Sequence, residues 1–124
     1  MFDVLVIDSN QSIRKMLVAG LAGFGFTVME ADSYIQAQDL LEADNIPYVA
    51  IMDFTRNDPK AHSFVTLLRD TPDYQHIKVI IATVNTLSTN EQNELAVDAV
   101  LTKPIDVSQL VKAVYLYRRP TGTL

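Results

Sequence analysis

Two aspartates, a threonine and a lysine carry the chemistry this sequence can offer: Asp8, Asp53, Thr83 and Lys103. Each follows a short, mostly apolar run: Val4-Leu5-Val6-Ile7, Val49-Ala50-Ile51-Met52, Ile80-Ile81-Ala82 and Ala99-Val100-Leu101-Thr102. Runs of this kind read as strands covered on both faces. The C-terminal ends of parallel strands lie on one edge of their sheet, where open α/β folds bind ligands. Residues as far apart as 8 and 103 can then share one pocket. Carboxylates from two strands suit a hard divalent cation, and Mg²⁺ takes one or two of them, with water and phosphate oxygens completing its shell. A lysine ammonium is a point charge for a phosphoryl oxygen, and a threonine hydroxyl can donate to another. The set fits phosphoryl transfer to an aspartate, a reaction that needs positioning and charge neutralisation. Each residue also has an ordinary use: Asp53 can open a loop, Asp8 can cap a helix, Thr83 can end a strand, and Lys103 can be a solvated charge. Their common edge distinguishes them.

The intervening segments have the spacing needed to build that edge. Ile13, Met16, Leu17, Leu21 and Phe24 fall on one helical face, and Gly25 supplies a stop. Phe26–Ala31 reads as a second strand. Ser33-Tyr34-Ile35-Gln36 has capping-box spacing, and Ala37, Leu40 and Leu41 continue that helix. Pro47 precedes the strand that ends at Asp53. Phe64, Leu67 and Leu68 mark a third helix, with Pro72 beyond it. Ser88-Thr89-Asn90-Glu91 is a second capping box for a short helix through Leu95. Asp106 and Gln109 frame the start of a last helix that carries Leu110, Val111, Val114 and Tyr117. Five strands alternating with five helices imply right-handed crossovers and a parallel sheet covered on both faces.

The whole chain bounds the function further. Its 124 residues suffice for one domain, and 48% are hydrophobic. A net charge of −5 with interleaved signs argues against nucleic-acid binding. No stretch is apolar enough to span a membrane and no leader is expected, so a cytoplasmic location is the default. Cysteine is absent, which removes disulfides and thiol catalysis. His62 and His76 lack metal-ligand spacing and are expected to be exposed or capping. Arg118-Arg119 are expected to complement the dipole of the last helix.

With those residues in place, the chain resembles the receiver domain of two-component response regulators over essentially its whole length. The resemblance rests on Val4-Leu5-Val6-Ile7-Asp8, the run to Asp53, Ile80-Ile81-Ala82-Thr83 and Leu101-Thr102-Lys103-Pro104. The spacings of 30 residues from Asp53 to Thr83 and 20 from Thr83 to Lys103 are similar to the family's. It implies a flavodoxin-like (βα)5 three-layer sandwich with strand order 2-1-3-4-5. The receiver domain would cover 1–119, leaving 120–124 as a tail or the start of a linker. It also implies that Asp53 is the phosphoacceptor, that Asp8 is a metal-site acid, and that Thr83 and Lys103 contact the phosphoryl group. The backbone carbonyl of Thr55 would join a Mg²⁺ site. The implied partners are a histidine kinase or phosphotransfer protein and an effector domain or target, with the chain a monomer or weak homodimer.

Four positions depart from the family pattern. Ser9 stands where a coordinating acid is usual, so the metal site is partly degenerate. Val84 replaces a small residue after Thr83 and is expected to crowd the approach to Asp53. Asn57 replaces a common proline. Val100 replaces the aromatic switch on strand 5. One alternative is therefore a pseudo-receiver that signals by protein contact without phosphorylation. Another is a phosphatase similar to the haloacid-dehalogenase type, with Asp8 as nucleophile; there the second aspartate of the motif would fall at Asn10, which leaves no general acid.

Overall fold

The computed structural model describes residues 2–55 and 58–118. In chain order it has β1 (Phe2–Ile7), α1 (Gln11–Gly23), β2 (Val28–Ala31), α2 (Tyr34–Glu42) and β3 (Pro47–Asp53). There follow α3 (Pro59–Asp70), a 3-10 turn (Pro72–Tyr74), β4 (Lys78–Thr83), α4 (Thr89–Leu95), β5 (Ala99–Thr102) and α5 (Val107–Tyr117). The strands form one parallel sheet in the order β2-β1-β3-β4-β5, as expected. Asn57, Arg119 and the tail at 120–124 lie outside the described residues.

The period-two alternation of each strand divides the core into two layers. Leu5, Ala50, Met52, Val79 and Ile81 face one way and pack with Ala37, Leu41, Phe64 and Leu68 of α2 and α3. Val4, Val6, Val49, Ile51 and Ile80 face the other way and pack with Leu17, Leu21, Leu110 and Val114 of α1 and α5. Both sheet faces are thus covered, which is why these strands read as continuous apolar runs. Met16 and Phe24, expected on the buried face of the first helix, are 48% and 61% exposed. Leu17 and Leu21 are the fully buried residues of that seam, with Ile13 and Val18 packed half-buried beside them.

The helix ends follow local chemistry. Asn10 caps α1 and accepts from the Ile13 N–H at 3.0 Å. Gly25 has φ 93 and ends α1 in a Schellman arrangement, donating to the Ala22 carbonyl while Phe26 N–H reaches Leu21. That turn consumes Phe26, so β2 starts at Val28 rather than at Phe26. Ser88 and Glu91 form the expected reciprocal capping box. Ser33 caps α2 through the Gln36 N–H at 3.1 Å, but Gln36 accepts from Asp32 N–H at 2.6 Å, one residue earlier than a capping box requires.

Candidate functional site at the C-terminal sheet edge

Asp53 is the last residue of β3, and its register partner is Ala82, one residue before Thr83. The Lys103 backbone N–H donates to the Thr83 carbonyl at 2.9 Å, so the ends of β4 and β5 are tied together. From there the Lys103 ammonium reaches back across β4 and pairs with Asp53 Oδ1. Both side chains keep partial contact with solvent, at 25% and 32% exposure, so the pair is open to an incoming group.

Asp8 follows β1 directly and is 6% exposed. Its Oδ1 accepts from the Asn10 N–H at 2.8 Å, a turn typical of aspartate. Arg14 donates to the Asp8 carbonyl at 2.8 Å and, through Nε, to Glu30 at 2.9 Å. Lys15 joins the same carboxylate at 2.9 Å. Lys15 and then Arg14 hold Glu30 below the ordinary carboxylate range. This group locks the start of α1 onto β2, next to Asp8.

Thr83 is wholly buried, and Asn85 in its own loop occupies its hydroxyl: it accepts from the Asn85 N–H at 3.1 Å and donates to Asn85 Oδ1 at 3.3 Å. The hydroxyl therefore sits at the expected edge without being drawn onto Asp53. Ser9 is exposed beside Asp8. Thr55 is exposed, and its carbonyl accepts from the Asp58 N–H at 3.0 Å. Val84 is 70% exposed and does not line the cleft beside Asp53. Val100 is half-buried against the core layer of α2 and α3. His62 and His76 are exposed, with their rings against Phe54 and Tyr48. Arg118 departs from its expected role. Rather than complementing the α5 dipole, its Nε donates to Asp3 at 2.8 Å and its guanidinium lies over the Tyr48 ring at 4.1 Å.

A cleft of about 550 Å³ opens from Asp8, Ser9 and Asp53 and runs between α2 and α3. Tyr34, Ile35, Phe64 and Leu67 form its apolar wall. Tyr34 donates from its hydroxyl to the Asp53 carbonyl at 2.8 Å, a contact that sequence reasoning did not single out. The available signal was its position: the residue after the Ser33 cap opens the helix that follows β2, on the same sheet edge. Burial, helped by Asp58, Asp53 and Asp8, pushes the Tyr34 hydroxyl well above the usual phenol range. It stays protonated and remains a donor.

Among the described residues, no group of three or more His, Cys, Asp or Glu is gathered closely enough to hold a metal. Of the metal ligands expected from the sequence, Asp8 and Asp53 line the cleft and the Thr55 carbonyl follows two residues after Asp53. Two carboxylates and a carbonyl fit Mg²⁺, which keeps several waters, better than they fit a cation needing an all-protein cage.

A flavodoxin-like sheet with acids, a hydroxyl and a lysine at its C-terminal edge defines a class of signalling domain. The chain belongs to the response regulator receiver domain family, whose model matches residues 4–115. It is similar to the chemotaxis protein CheY4 of Vibrio cholerae, at 25% identity over 95% of this chain and 99% of that one, with a TM-score of 0.80. The receiver domain of a signal transduction histidine kinase from Syntrophus aciditrophicus shares the fold at 19% identity, covering 100% of this chain and 98% of that one, with a TM-score of 0.79. A probable transcriptional regulator, ycf29 of Cyanophora paradoxa, is 28% identical over 90% of this chain. The chain spans about half of that relative's length, 53%. The matching family is the one the sequence resembles, that of receiver domains. Receiver domains are signalling modules that typically bind Mg²⁺ and act with kinases or effector domains. No helix among the described residues is long and apolar enough to cross a membrane.

Proposed function

We propose that residues 1–119 form a phosphoacceptor domain that takes a phosphoryl group on Asp53 from a histidine kinase or phosphotransfer protein in the cytoplasm. The observation that carries this reading is the Lys103–Asp53 ion pair, formed across three strand ends beside buried Asp8. A carboxylate oxygen of Asp53 attacks the donor phosphorus, and the bond from phosphorus to the leaving group breaks. That group departs with the bonding electrons and takes a proton from solvent. Lys103 neutralises charge on the acceptor and on the phosphoryl oxygens, and the Thr83 hydroxyl exchanges Asn85 for one of those oxygens. Asp8, Asp53 and the Thr55 carbonyl would hold Mg²⁺, with Ser9 leaving the site one acid short. When bound, Mg²⁺ supplies further neutralisation of the transferring group.

The phosphorylated domain acts on an effector domain or target protein, as a monomer or weak homodimer, without binding nucleic acid itself. The test is to incubate the chain with Mg²⁺ and a small phosphodonor such as acetyl phosphate, then map any acyl phosphate by mass spectrometry. Label on Asp53 is expected. Its absence under saturating Mg²⁺ and donor would favour a pseudo-receiver acting by contact alone, and label on Asp8 would reverse the roles of the two acids.

A further inference from the structure

The pairing of β1 with β3 ends at Ile7 and Met52, because the chain leaves the sheet at Asp8. On the opposite side, β3 continues one step further, and the Phe54 N–H donates to the Ala82 carbonyl at 2.9 Å. Successive residues of a strand point their backbone groups to alternate sides, so the Asp53 carbonyl faces the side from which β1 has departed. A carbonyl there has no strand partner, and an unpaired backbone group is costly. The Tyr34 hydroxyl fills the gap at 2.8 Å.

Three features make this contact more than a generic satisfied carbonyl. Tyr34 is the first residue of α2, set by the Ser33 cap, so its backbone is fixed. Its ring packs against Phe64 of α3 at 5.3 Å between centroids, which leaves the hydroxyl little room to swing away. The residue it holds is the one whose side chain pairs with Lys103. Lys103 restrains the side chain of Asp53, and Tyr34 restrains its peptide plane.

We propose that Tyr34 is a positioning residue for acyl-phosphate formation: by anchoring the Asp53 carbonyl it sets the direction in which the acceptor carboxylate leaves the strand. This rests on the phosphoacceptor reading given above. Rates of in-line transfer are sensitive to such aim, since a misplacement of about 1 Å can cost on the order of a hundredfold. The hydroxyl is already engaged with a backbone carbonyl, so it acts on orientation and not on donor binding.

Tyr34→Phe removes the hydroxyl and keeps the ring against Phe64. The maximal rate of Asp53 labelling by acetyl phosphate at saturating Mg²⁺ should fall about tenfold. Donor half-saturation and Mg²⁺ affinity should stay within about twofold of wild type, and the melting temperature should drop only a few degrees, as for one lost hydrogen bond. Phe64→Leu is the control, because it loosens the wall and leaves the hydroxyl in place. If both variants lose rate in proportion to their loss of stability, or if Tyr34→Phe labels at the wild-type rate, the positioning role is overturned while the phosphoacceptor reading stands. If wild type itself carries no label on Asp53, that reading fails and this one falls with it.

Discussion

At the edge where the strands begin, Asp3 is wholly buried and its carboxylate accepts from the Thr27 N–H at 2.8 Å, the Thr27 hydroxyl at 3.1 Å and Arg118 at 2.8 Å. Further along the same edge, Asp98 accepts from the Val79 N–H at 2.8 Å and from Arg69 at 3.0 Å. Arg69 also donates to the Ile77 carbonyl at 2.8 Å and twice to the Ala96 carbonyl, at 3.0 and 2.8 Å. At the edge where the strands end, Asp53 has Lys103 on one carboxylate oxygen, and Asp8 has a single backbone N–H on Oδ1. The same residue types serve both edges, yet the first set is enclosed by fixed donors and the second keeps acceptor capacity facing a cleft. A carboxylate satisfied by fixed donors from distant elements stabilises the fold. One left with spare lone pairs at a solvent-accessible edge can take a cation or a phosphoryl group.

The sharpest way to break this comparison is to remove one acid from each edge. Asp53→Asn is nearly isosteric, and we expect it to abolish acyl-phosphate formation while the melting temperature stays within a few degrees of wild type. Mass spectrometry and thermal unfolding on one sample check both halves. Asp3→Ala should do the reverse. It strands the Thr27 N–H and removes the partner of Arg118, costing about 2–3 kcal/mol, below the full value for a buried pair because Arg118 is partly exposed. That corresponds to a melting temperature roughly 10 °C lower. The rate of Asp53 labelling per folded molecule should be unchanged. A labelling defect in Asp3→Ala larger than its unfolded fraction would show that the two edges are coupled.

Most of the open edge was legible in the sequence, and most of the closed one was not. Asp8, Asp53, Thr83 and Lys103 each end an apolar run, so strand periodicity marks them and parallel topology gathers them. The layers of the sandwich follow from the same alternation. Asp3, Arg69, Asp98 and Arg118 carry no such mark. Their partners lie 24 to 115 residues away for Asp3 with Thr27 and Arg118, and 29 for Arg69 with Asp98, separations that leave no periodic trace. Arg118 illustrates this: its place at a helix end suggested the helix dipole, and a buried carboxylate on β1 with a tyrosine face proved the stronger attraction. Tyr34 escaped for a related reason. In the sequence it is only a residue inside the Ser33-to-Gln36 capping spacing, and only the carbonyl left without a strand partner at the end of β3 gives its hydroxyl a purpose.

A smaller effect tests how incomplete the open edge is. Ser9 is exposed beside Asp8 and lines the same cleft as Asp53. Ser9→Asp adds a unit charge near a divalent ion, where the Coulomb attraction is several kcal/mol at ~4 Å and an effective dielectric of roughly 20 before desolvation. The net gain should be about 1–2 kcal/mol, so Mg²⁺ should bind roughly tenfold more tightly by titration. The metal-free variant should be slightly less stable than wild type, because a third carboxylate joins Asp8 and Asp53. Unchanged Mg²⁺ affinity would place Ser9 outside the metal shell.

The smallest expected response lies between the two edges. β5 runs from Asp98, held by Arg69, to Lys103, paired with Asp53. Ala96, just past α4, sits in the left-handed region at φ 57, and Arg69 fixes its carbonyl. Both α4 and β5 are thus pinned at the closed edge. Val100 lies midway, half-buried, and its short branched side chain has no large inward swing to make. A modification shifts an equilibrium only through its differential interaction with the two states, and a valine here offers little difference. Phosphorylation should therefore rearrange the loops after Asp53 and Thr83 and leave the surface of α4, β5 and α5 nearly unmoved. Backbone amide NMR with and without a beryllofluoride phosphoryl mimic measures this. Shifts from Val100 through Val114 should be much smaller than those in the two loops and should grow in Val100→Tyr. If wild-type shifts there equal those in the loops, the domain transmits its signal across the sheet without a ring at position 100, and the closed edge is not the anchor its hydrogen bonds suggest.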